Sequence, residues 1–217
     1  MEWQDRFLSA GDAMKQLFVI YHLYQAHHWE QIFSEQMGLL MLSGLFDNAE
    51  VIVSVNGSSP LPKGPYKQVY REDGFSEKPS LLLARHYAES FPDSQILYFH
   101  SKGISHPTKN QDDWRMMMQH FILMDWRRAC LLLDDHDVVG VNWRSFPVEH
   151  SSGNYWWANA SHLAKLDPAF LNDHDRMSQE FWIGSIPAKV HNMHETGLDH
   201  YNQACPSHSY CSSYFQP

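Results

Sequence analysis

One short stretch decides the fold of this chain: Gln95 followed by Ile96-Leu97-Tyr98-Phe99-His100-Ser101-Lys102-Gly103. Four apolar, β-prone residues in a row predict a short buried strand, and the run then changes abruptly to polar residues. In open α/β sheets, ligands bind outside the carboxyl ends of the strands. The stretch therefore predicts a strand whose end supplies polar groups to a cleft. The alternative is a strand that simply ends in a solvated loop.

Strand and helix patterns alternate on the amino-terminal side of this stretch. Leu17 to Tyr24 is rich in β-branched and aromatic residues with little alternation, which is typical of a strand covered on both faces. Apolar residues at helical spacing predict a helix from Trp29 to Phe46, and Val51 to Gly57 predicts a second strand. Strand, helix and strand in this order predict a parallel sheet.

The same alternation continues on the carboxyl-terminal side and then becomes irregular. The further predicted elements are a strand at 66–70, a helix that begins at Pro79, a helix with Asn110 as its N-cap that ends near Leu133, a strand at 138–141, and short helices at 161–166 and 178–186. From His191 onward no clear period remains.

Length and composition limit the class of protein. The chain has 217 residues, which suits one substantial core, so we expect a single domain over 1–217. A net charge of -9 argues against a nucleic-acid partner, because no dense basic face is available. Three cysteines are too few for a disulfide framework, no apolar run is long enough to span a membrane, and no secretion signal is visible. We therefore expect a cytoplasmic location and no transmembrane segment.

The order of these parts resembles a GT-A glycosyltransferase. The strings that carry the resemblance are Tyr98 to Gly103, the helix around Trp114, Ser152 to Asn159, and Gln179 to Gly184. Together they are similar to a subgroup found in bacterial polysaccharide synthesis and in the N-terminal glycosyltransferase domain of a large algal-virus protein. The resemblance implies a Rossmann-like α/β fold with a mostly parallel central sheet flanked by helices. It also implies a nucleotide-binding half at 1–103 and an acceptor and catalytic half at 104–217.

The activity that the resemblance implies is transfer of a sugar from a nucleotide-sugar donor, a UDP-sugar first among them, to a glycan or glycoprotein acceptor. Polysaccharide biosynthesis is the corresponding process. A non-catalytic module that keeps the fold and only binds nucleotide or glycan is the main alternative, because fold alone does not determine chemistry. A histidine-dependent metal hydrolase is a third, although none of the fifteen histidines has the His-Glu-x-x-His spacing.

The chain departs from the resemblance at the end of the central strand. Most GT-A enzymes carry Asp-x-Asp there, which holds a divalent ion against the diphosphate, whereas this chain has His100, Ser101 and Lys102. A lysine ammonium can compensate the leaving diphosphate directly, and Gly103 lets the backbone come close. We expect these residues to bind the diphosphate. A requirement for Mn²⁺ or Mg²⁺ stays open, and its ligands are not assigned.

A D-x-D pattern does occur elsewhere, at Asp135-His136-Asp137. It lies after a long helical pattern and before a predicted strand. Acidic residues that close a turn are the simpler explanation.

Further donor contacts are expected at the ends of the first two strands. Tyr21, His22 and Asn56 lie where related folds hold the base and ribose, since a ring can stack on a base and an amide can bind its edge. Packing against a neighbouring helix is the alternative for each. His194 begins a sequence that resembles the carboxyl-terminal His-x-x-Gly of some GT-A enzymes, where the histidine returns to the diphosphate.

Sugar and acceptor contacts are expected between Gly153 and Asn159. Asn154 and Asn159 can bind hydroxyls, and Trp156 or Trp157 can cover the apolar face of a sugar. Adjacent strand residues point to opposite faces, so one indole is expected at the ligand and one in the core.

Glu180 is the expected catalytic base. The resemblance implies an acid at this position, at the opening of a short helix, that deprotonates the acceptor hydroxyl or stabilises the positive sugar. The alternative is a first-turn glutamate that stabilises a helix dipole.

Overall fold

The structure is a computed structural model that describes residues 15–71, 76–105, 107–172 and 175–211. Its central element is a seven-stranded sheet. The strands are β1 (Leu17–Tyr24), β2 (Glu50–Asn56), β3 (Lys67–Arg71), β4 (Gln95–His100), β5 (Val138–Gly140), β6 (Trp143–Arg144), β7 (His150–Ser151), β8 (Trp156–Asn159) and β9 (Val190–Asn192). The α-helices are α1 (Trp29–Leu42), α2 (Lys78–Ser90), α3 (Lys109–Gln119), α4 (Trp126–Leu132), α5 (Ala160–Leu163) and α6 (Arg176–Phe181).

The sheet has the order β3-β2-β1-β4-β8-β5-β9, and β6 pairs with β7 in a separate two-stranded sheet. All neighbouring pairs in the large sheet are parallel except those of β8, which runs antiparallel to both β4 and β5. This arrangement confirms the predicted fold class, an α/β protein with a mostly parallel central sheet flanked by helices. Strands from both predicted halves of the chain contribute to it.

Two apolar cores lie on the two faces of this sheet. In β1, Val19, Tyr21 and Leu23 belong to one core, which α1, α3 and α4 cover, whereas Phe18 and Ile20 belong to the other, which α2 and α5 cover. Burial on both faces explains why β1 is apolar almost without interruption.

The strand order reverses between β1 and β4. The α1 crossover from β1 to β2 lies on one face of the sheet, and the α2 crossover that leads into β4 lies on the other. In doubly wound sheets, ligands bind in the crevice at this switch point, outside the carboxyl ends of the strands. Here His22 of β1 lies directly opposite His100 of β4, near both carboxyl ends.

Several predicted boundaries were wrong. The helix α1 ends at Leu42, before Gly44 adopts a left-handed φ of 74°. The N-cap of α3 is Thr108 rather than Asn110, because the Thr108 side chain accepts a hydrogen bond from the Gln111 amide. The predicted long helix is interrupted by a π-helical turn at His120–Met124.

Among the described residues, no helix combines the length and the apolar composition that crossing a membrane requires.

Candidate active site

A cleft of about 420 Å³ lies at the switch point between β1 and β4. Its walls come from both ends of the chain, since the amino-terminal strands and loops face residues of α6 and of the segment after β9. The lining residues that matter for its chemistry are His22, His100, Ser101, Lys102, Arg176 and Tyr201.

The polar residues after β4 are held by the end of β1. The Ser101 amide donates to the His22 carbonyl oxygen at 3.1 Å, and the Ser101 hydroxyl accepts from the Tyr24 amide at 3.1 Å. The chain then turns at Gly103, whose φ is 87°; a Cβ there would lie 3.2 Å from Cβ of Gln111. A left-handed backbone in close contact favours glycine at this position.

Lys102 is the buried cation of the cleft, with 4% of its surface exposed. Its Nζ lies 3.9 Å from the centroid of the Trp114 ring and 5.8 Å from that of Tyr201. Within the described ranges, Lys102 forms no ion pair. Burial lowers the pKa of Lys102, and the Glu180 carboxylate opposes this shift. Among the described residues, no carboxylate therefore forms an ion pair with the Lys102 amine.

Arg115 is hydrogen-bonded to the backbone of Lys102. Its Nη1 donates to the Lys102 carbonyl oxygen at 3.1 Å and to Asp112 Oδ1 at 2.7 Å, while Nε and Nη2 donate to the two Glu35 oxygens at 3.3 and 3.4 Å. Arg115 is 4% exposed. A buried guanidinium with several partners has little freedom, so it fixes the backbone that carries the Lys102 side chain.

His100 links the strand end to the loop before β8. Its Nε2 lies 2.9 Å from the Gly153 carbonyl oxygen, and because a carbonyl only accepts, Nε2 carries the hydrogen. Its Nδ1 lies 3.7 Å from Glu77 Oε1. Burial lowers the pKa of His100, and the Glu77 carboxylate opposes this shift.

Glu77 is a buried carboxylate that the sequence reasoning missed. Its Oε2 accepts hydrogen bonds from the Tyr98 hydroxyl and from Asn154 Nδ2, both at 2.8 Å. Burial alone would raise the pKa of Glu77, but His100, His22 and these two hydrogen bonds outweigh it and lower the pKa to about 2. Glu77 is therefore ionised at neutral pH. Locally it is the residue before a helix, and nothing in that pattern indicates its burial.

Glu180 and Arg176 lie one turn apart on α6. Glu180 Oε1 accepts from the Gly153 amide at 2.7 Å, so Gly153 joins His100 to Glu180. Glu180 lies in the last turn of α6 rather than at its opening, which corrects the prediction. Arg176 is exposed, lines the cleft and makes no ion pair with any described residue. Its spacing of four residues from Glu180 was the signal that could have identified it.

Among the donor-binding residues predicted on β1 and β2, only His22 lines the cleft. Its Nδ1 donates to the Ser80 hydroxyl at 2.8 Å, since Ser80 donates in turn to Ser54. Tyr21 points the other way, is fully buried and stacks on Phe99 at 4.5 Å. Strand alternation is the reason. Asn56 is buried at the end of β2, on the side of β1 away from β4.

The two tryptophans of β8 do point to opposite faces, but neither reaches the cleft. Trp156 and Trp157 are both fully buried, one in each core, and their Nε1 atoms donate to Asn154 Oδ1 and to the Ile122 carbonyl oxygen. The prediction that one of the two indoles contacts the ligand was therefore wrong. Asn154 is also buried, and its Nδ2 donates to Glu77 while its Oδ1 accepts from Trp156.

Asn159 lies at the wrong end of the sheet for a sugar contact. Because β8 is antiparallel to β4, Asn159 pairs with Gln95 at the amino end of β4. Its side chain donates to the carbonyl oxygens of Leu133 and His136. Asp137 lies at the same far end, where its Oδ2 accepts from the Lys189 amide. The D-x-D sequence at Asp135–Asp137 therefore closes a turn, as its simpler explanation held.

His194 is also displaced from the predicted site. Its ring stacks on Phe121 at 4.5 Å and is not among the residues that line the cleft. His200, rather than His194, stacks on Trp114, with the ring centroids 4.9 Å apart, and Trp114 is the ring that lies beside the Lys102 ammonium.

The donor atoms at the strand end suit an anion better than a divalent cation. Mg²⁺ and Mn²⁺ prefer several carboxylate or carbonyl oxygens. Here the strand end offers imidazole, hydroxyl and ammonium groups, and the Glu77 carboxylate already accepts two hydrogen bonds. Among the described residues, no three or more His, Cys, Asp or Glu side chains form a group that could hold a metal ion.

Comparison with known proteins gives one family and several distant structures. No curated protein sequence matches the chain. One similar structure is that of a "putative nucleotide-diphospho-sugar transferase" from Desulfovibrio desulfuricans G20, with 9% identity, a TM-score of 0.42, and coverage of 84% of this chain and 81% of that one. Another is 4-diphosphocytidyl-2C-methyl-D-erythritol synthase, with 11% identity, a TM-score of 0.38, and coverage of 93% and 98%.

The family assignment rests on a match that spans most of the chain. The model of the family described as Domain of unknown function (DUF8361) matches residues 19–204. The chain belongs to the DUF8361 family.

Proposed function

We propose that the chain is a glycosyltransferase that moves a sugar from a nucleotide-sugar donor to a glycan or glycoprotein acceptor, with UDP-sugars as the first donors to test. The observation that carries the proposal is the buried Lys102 ammonium, which lines the cleft at the carboxyl end of the central strand without an ion pair among the described residues. A buried charge is costly unless a partner compensates it. A diphosphate is a partner of the right charge in the right place.

Lys102 and Arg176 together supply the positive charge for a diphosphate. Both line the cleft, one buried and one exposed. Negative charge grows on the diphosphate as the sugar departs, so a preplaced cation stabilises the transition state more than the ground state. The Ser101 hydroxyl also lines this cleft and accepts a hydrogen bond from the Tyr24 amide.

The nucleoside part of the donor belongs at the β1 side of the cleft. His22 and Tyr24 line it there. Tyr24, rather than the buried Tyr21, takes the stacking role, since an aromatic ring at the strand end can cover a base. Neither residue distinguishes uridine from other nucleosides by its position alone, so the donor panel decides the base.

Glu180 is the proposed base. The oxygen of the acceptor hydroxyl forms a bond to the anomeric carbon, the bond from that carbon to the diphosphate oxygen breaks, and the hydroxyl proton goes to the Glu180 carboxylate. The nucleoside diphosphate leaves with the bonding electrons, and Lys102 compensates its charge. Glu77 and His100 position this base, because His100 holds the Gly153 carbonyl oxygen while the Gly153 amide holds Glu180.

Calorimetric titration with UDP, GDP, ADP and CMP, followed by their sugar derivatives, tests the proposal. We expect at least one nucleoside diphosphate to bind, and Lys102→Met to weaken it at least tenfold. Lys165→Met is the matched control, because Lys165 is an exposed lysine outside the cleft. Failure of the wild type to bind any nucleotide or nucleotide sugar contradicts the proposal.

Turnover separates an enzyme from a binding module. We expect release of nucleoside diphosphate from the sugar nucleotide that binds best, accelerated by a glycan acceptor. Turnover that is unchanged by a chelator supports the lysine as the charge on the diphosphate. Complete loss that added Mn²⁺ or Mg²⁺ reverses contradicts that role for Lys102. A protein that binds donor and never cleaves it is a non-catalytic module.

A further inference from the structure

An aromatic ring stands exposed at the mouth of the cleft. Tyr201 lines the cleft with 64% of its surface exposed. Its ring lies 5.5 Å from that of Trp114 in an edge-on arrangement, with an interplanar angle of 76°, and 5.8 Å from the Lys102 Nζ. Tyr201 is therefore supported from the protein side and open to solvent on the other.

Hydrogen bonds within residues 199–203 fix the backbone of the turn that carries Tyr201. The Asp199 side chain accepts from the Tyr201 amide at 3.1 Å and from Asn202 Nδ2 at 2.7 Å, and the Asp199 amide donates to Gln203 Oε1 at 2.8 Å. Asn110 Nδ2 reaches the Tyr201 carbonyl oxygen from α3 at 3.4 Å. Next to it, His200 is buried and stacks on Trp114. The backbone on both sides of the exposed ring is thus anchored.

Charged groups that can bind hydroxyls act on the Tyr201 side chain. Burial raises the pKa of the Tyr201 hydroxyl, the Glu180 and Asp199 carboxylates raise it further, and the Arg176 guanidinium lowers it. Arg176 lines the same cleft. An exposed aromatic face with a guanidinium in the same cleft is complementary to a sugar, which has apolar C–H faces and a polar edge.

We infer that Tyr201 is the stacking platform for a pyranose ring of the substrate, with Arg176 at the sugar hydroxyls. This inference rests on the proposed function and assigns the sugar contact that Trp156 and Trp157 do not make. The pyranose comes from one of two sources, the sugar that is transferred or the terminal sugar of the acceptor.

Titration of Tyr201→Ala with UDP, with UDP-hexoses and with neutral oligosaccharides distinguishes the two sources. If the platform holds the transferred sugar, Tyr201→Ala weakens binding of the UDP-hexose about three- to tenfold and leaves UDP within twofold of the wild type. If it holds the acceptor, the KM for maltotriose, cellotriose or diacetylchitobiose rises by the same factor while donor binding is unchanged. Both results support the platform.

Conservative variants separate stacking from folding. Tyr201→Phe and Tyr201→Trp keep a ring and are expected to restore binding, whereas Tyr201→Leu keeps bulk and is not. Phe170→Ala is the control, because Phe170 is an exposed ring that does not line the cleft. Wild-type affinities and KM values in Tyr201→Ala overturn the inference.

The inference and the proposed function fail in different ways. If no nucleotide binds to the wild type, the proposed function fails, and oligosaccharide titration of the wild type and Tyr201→Ala still tests the platform. If the nucleotide sugar binds, depends on Lys102 and ignores Tyr201 in both donor and acceptor assays, the inference alone fails.

Discussion

The Lys102 ammonium lies 3.9 Å from the centroid of the Trp114 ring, so an aromatic face supports the cation, and no carboxylate in the described part of the chain forms an ion pair with it. An aromatic face offsets part of the cost of burying a cation, and it does so without accepting its proton or neutralising its charge. The positive charge therefore stays available to an anionic ligand. This pair of residues is the basis of the first prediction.

Nucleotide affinity is expected to fall at alkaline pH earlier than an ordinary lysine would allow. Burial lowers the pKa of Lys102 from its usual 10.5, so the ammonium of the free protein loses its proton at a lower pH than an exposed lysine does. The charged form binds the diphosphate, and affinity therefore decreases as pH rises toward 10.5. Titration calorimetry with UDP from pH 7.5 to 10 measures this.

Lys102→Arg is the control for that profile, because an arginine keeps its charge over this range. Changes in the nucleotide itself affect both proteins equally, so the ratio of their affinities isolates Lys102. A ratio that stays constant to pH 10 contradicts the role of the lysine charge.

Glu180→Gln is expected to separate binding from catalysis. The amide oxygen can still accept from the Gly153 amide, as Glu180 Oε1 does at 2.7 Å, so the loop stays in place. The variant loses the group that accepts the acceptor proton, and we expect kcat to fall at least a hundredfold with donor affinity unchanged within twofold. A Gln variant with full turnover excludes Glu180 as the base.

Arg115→Met is expected to weaken nucleotide binding through the backbone of Lys102. The variant removes the guanidinium that holds the Lys102 carbonyl oxygen and leaves Glu35 and Asp112 without their partner. We expect the free energy of unfolding to fall by about 1–3 kcal/mol. We also expect nucleotide affinity to fall at temperatures where the variant is folded. Calorimetry and chemical denaturation measure the two effects.

Lys67→Met provides the contrast for Arg115. It removes an exposed ion pair with Glu50 on the edge strand β3, and we expect no measurable change in binding. Arg115→Lys, which keeps a cation at the site, is expected to recover part of the stability and less of the affinity. Equal nucleotide binding in Arg115→Met and wild type means that the guanidinium has no positioning role.

Gly153→Ala is expected to destabilise the protein, whereas Gly38→Ala is expected to stabilise it. A Cβ on Gly153 would lie 2.6 Å from the Met118 sulfur and 3.0 Å from the Trp114 ring, at a φ of 92°. Overpacking of this kind costs about 1–3 kcal/mol. Gly38 lies inside α1 with nothing within 4 Å of its added Cβ, so the helix gains about 0.5–1 kcal/mol. Denaturant unfolding curves of both variants measure the difference, and equal stabilities contradict it.

Acid is expected to destabilise the wild type partly through Glu77. Its pKa is about 2 in the folded protein and near 4.5 when unfolded, so the unfolded state takes up the proton first as pH falls. The stability that Glu77 contributes is complete above pH 4.5 and is lost between 4.5 and 2. Urea midpoints from pH 6 to pH 2.5 should fall less steeply in Glu77→Gln than in the wild type. Parallel curves contradict this.

The fold was predictable where the signal is local. The largely apolar run from Leu17 to Tyr24 marked β1 with its observed boundaries, and Ile96 to Phe99 marked β4, because a strand buried on both faces has few polar residues. The apolar run of β4 also predicted that His100, Ser101 and Lys102 lie at the cleft, because the end of a strand is itself a local feature of the sequence.

The rest of the site depends on contacts between distant parts of the chain. Glu77 and Tyr201 come to the cleft from the start of α2 and from the turn after β9, and no pattern around either of them indicates that destination. Asn159 was misplaced for a related reason. The direction of β8 decides which end of the sheet it occupies, and strand direction is a property of the whole topology.

The reversed strand β8 also connects the two predicted halves of the chain. It lies between β4, which ends the first half, and β5, which belongs to the second, and it hydrogen bonds to both. A fragment that stopped at Gly103 would leave β4 as a bare, apolar edge, the kind of template on which chains aggregate. The two predicted halves therefore share one sheet, and the first half alone does not complete it.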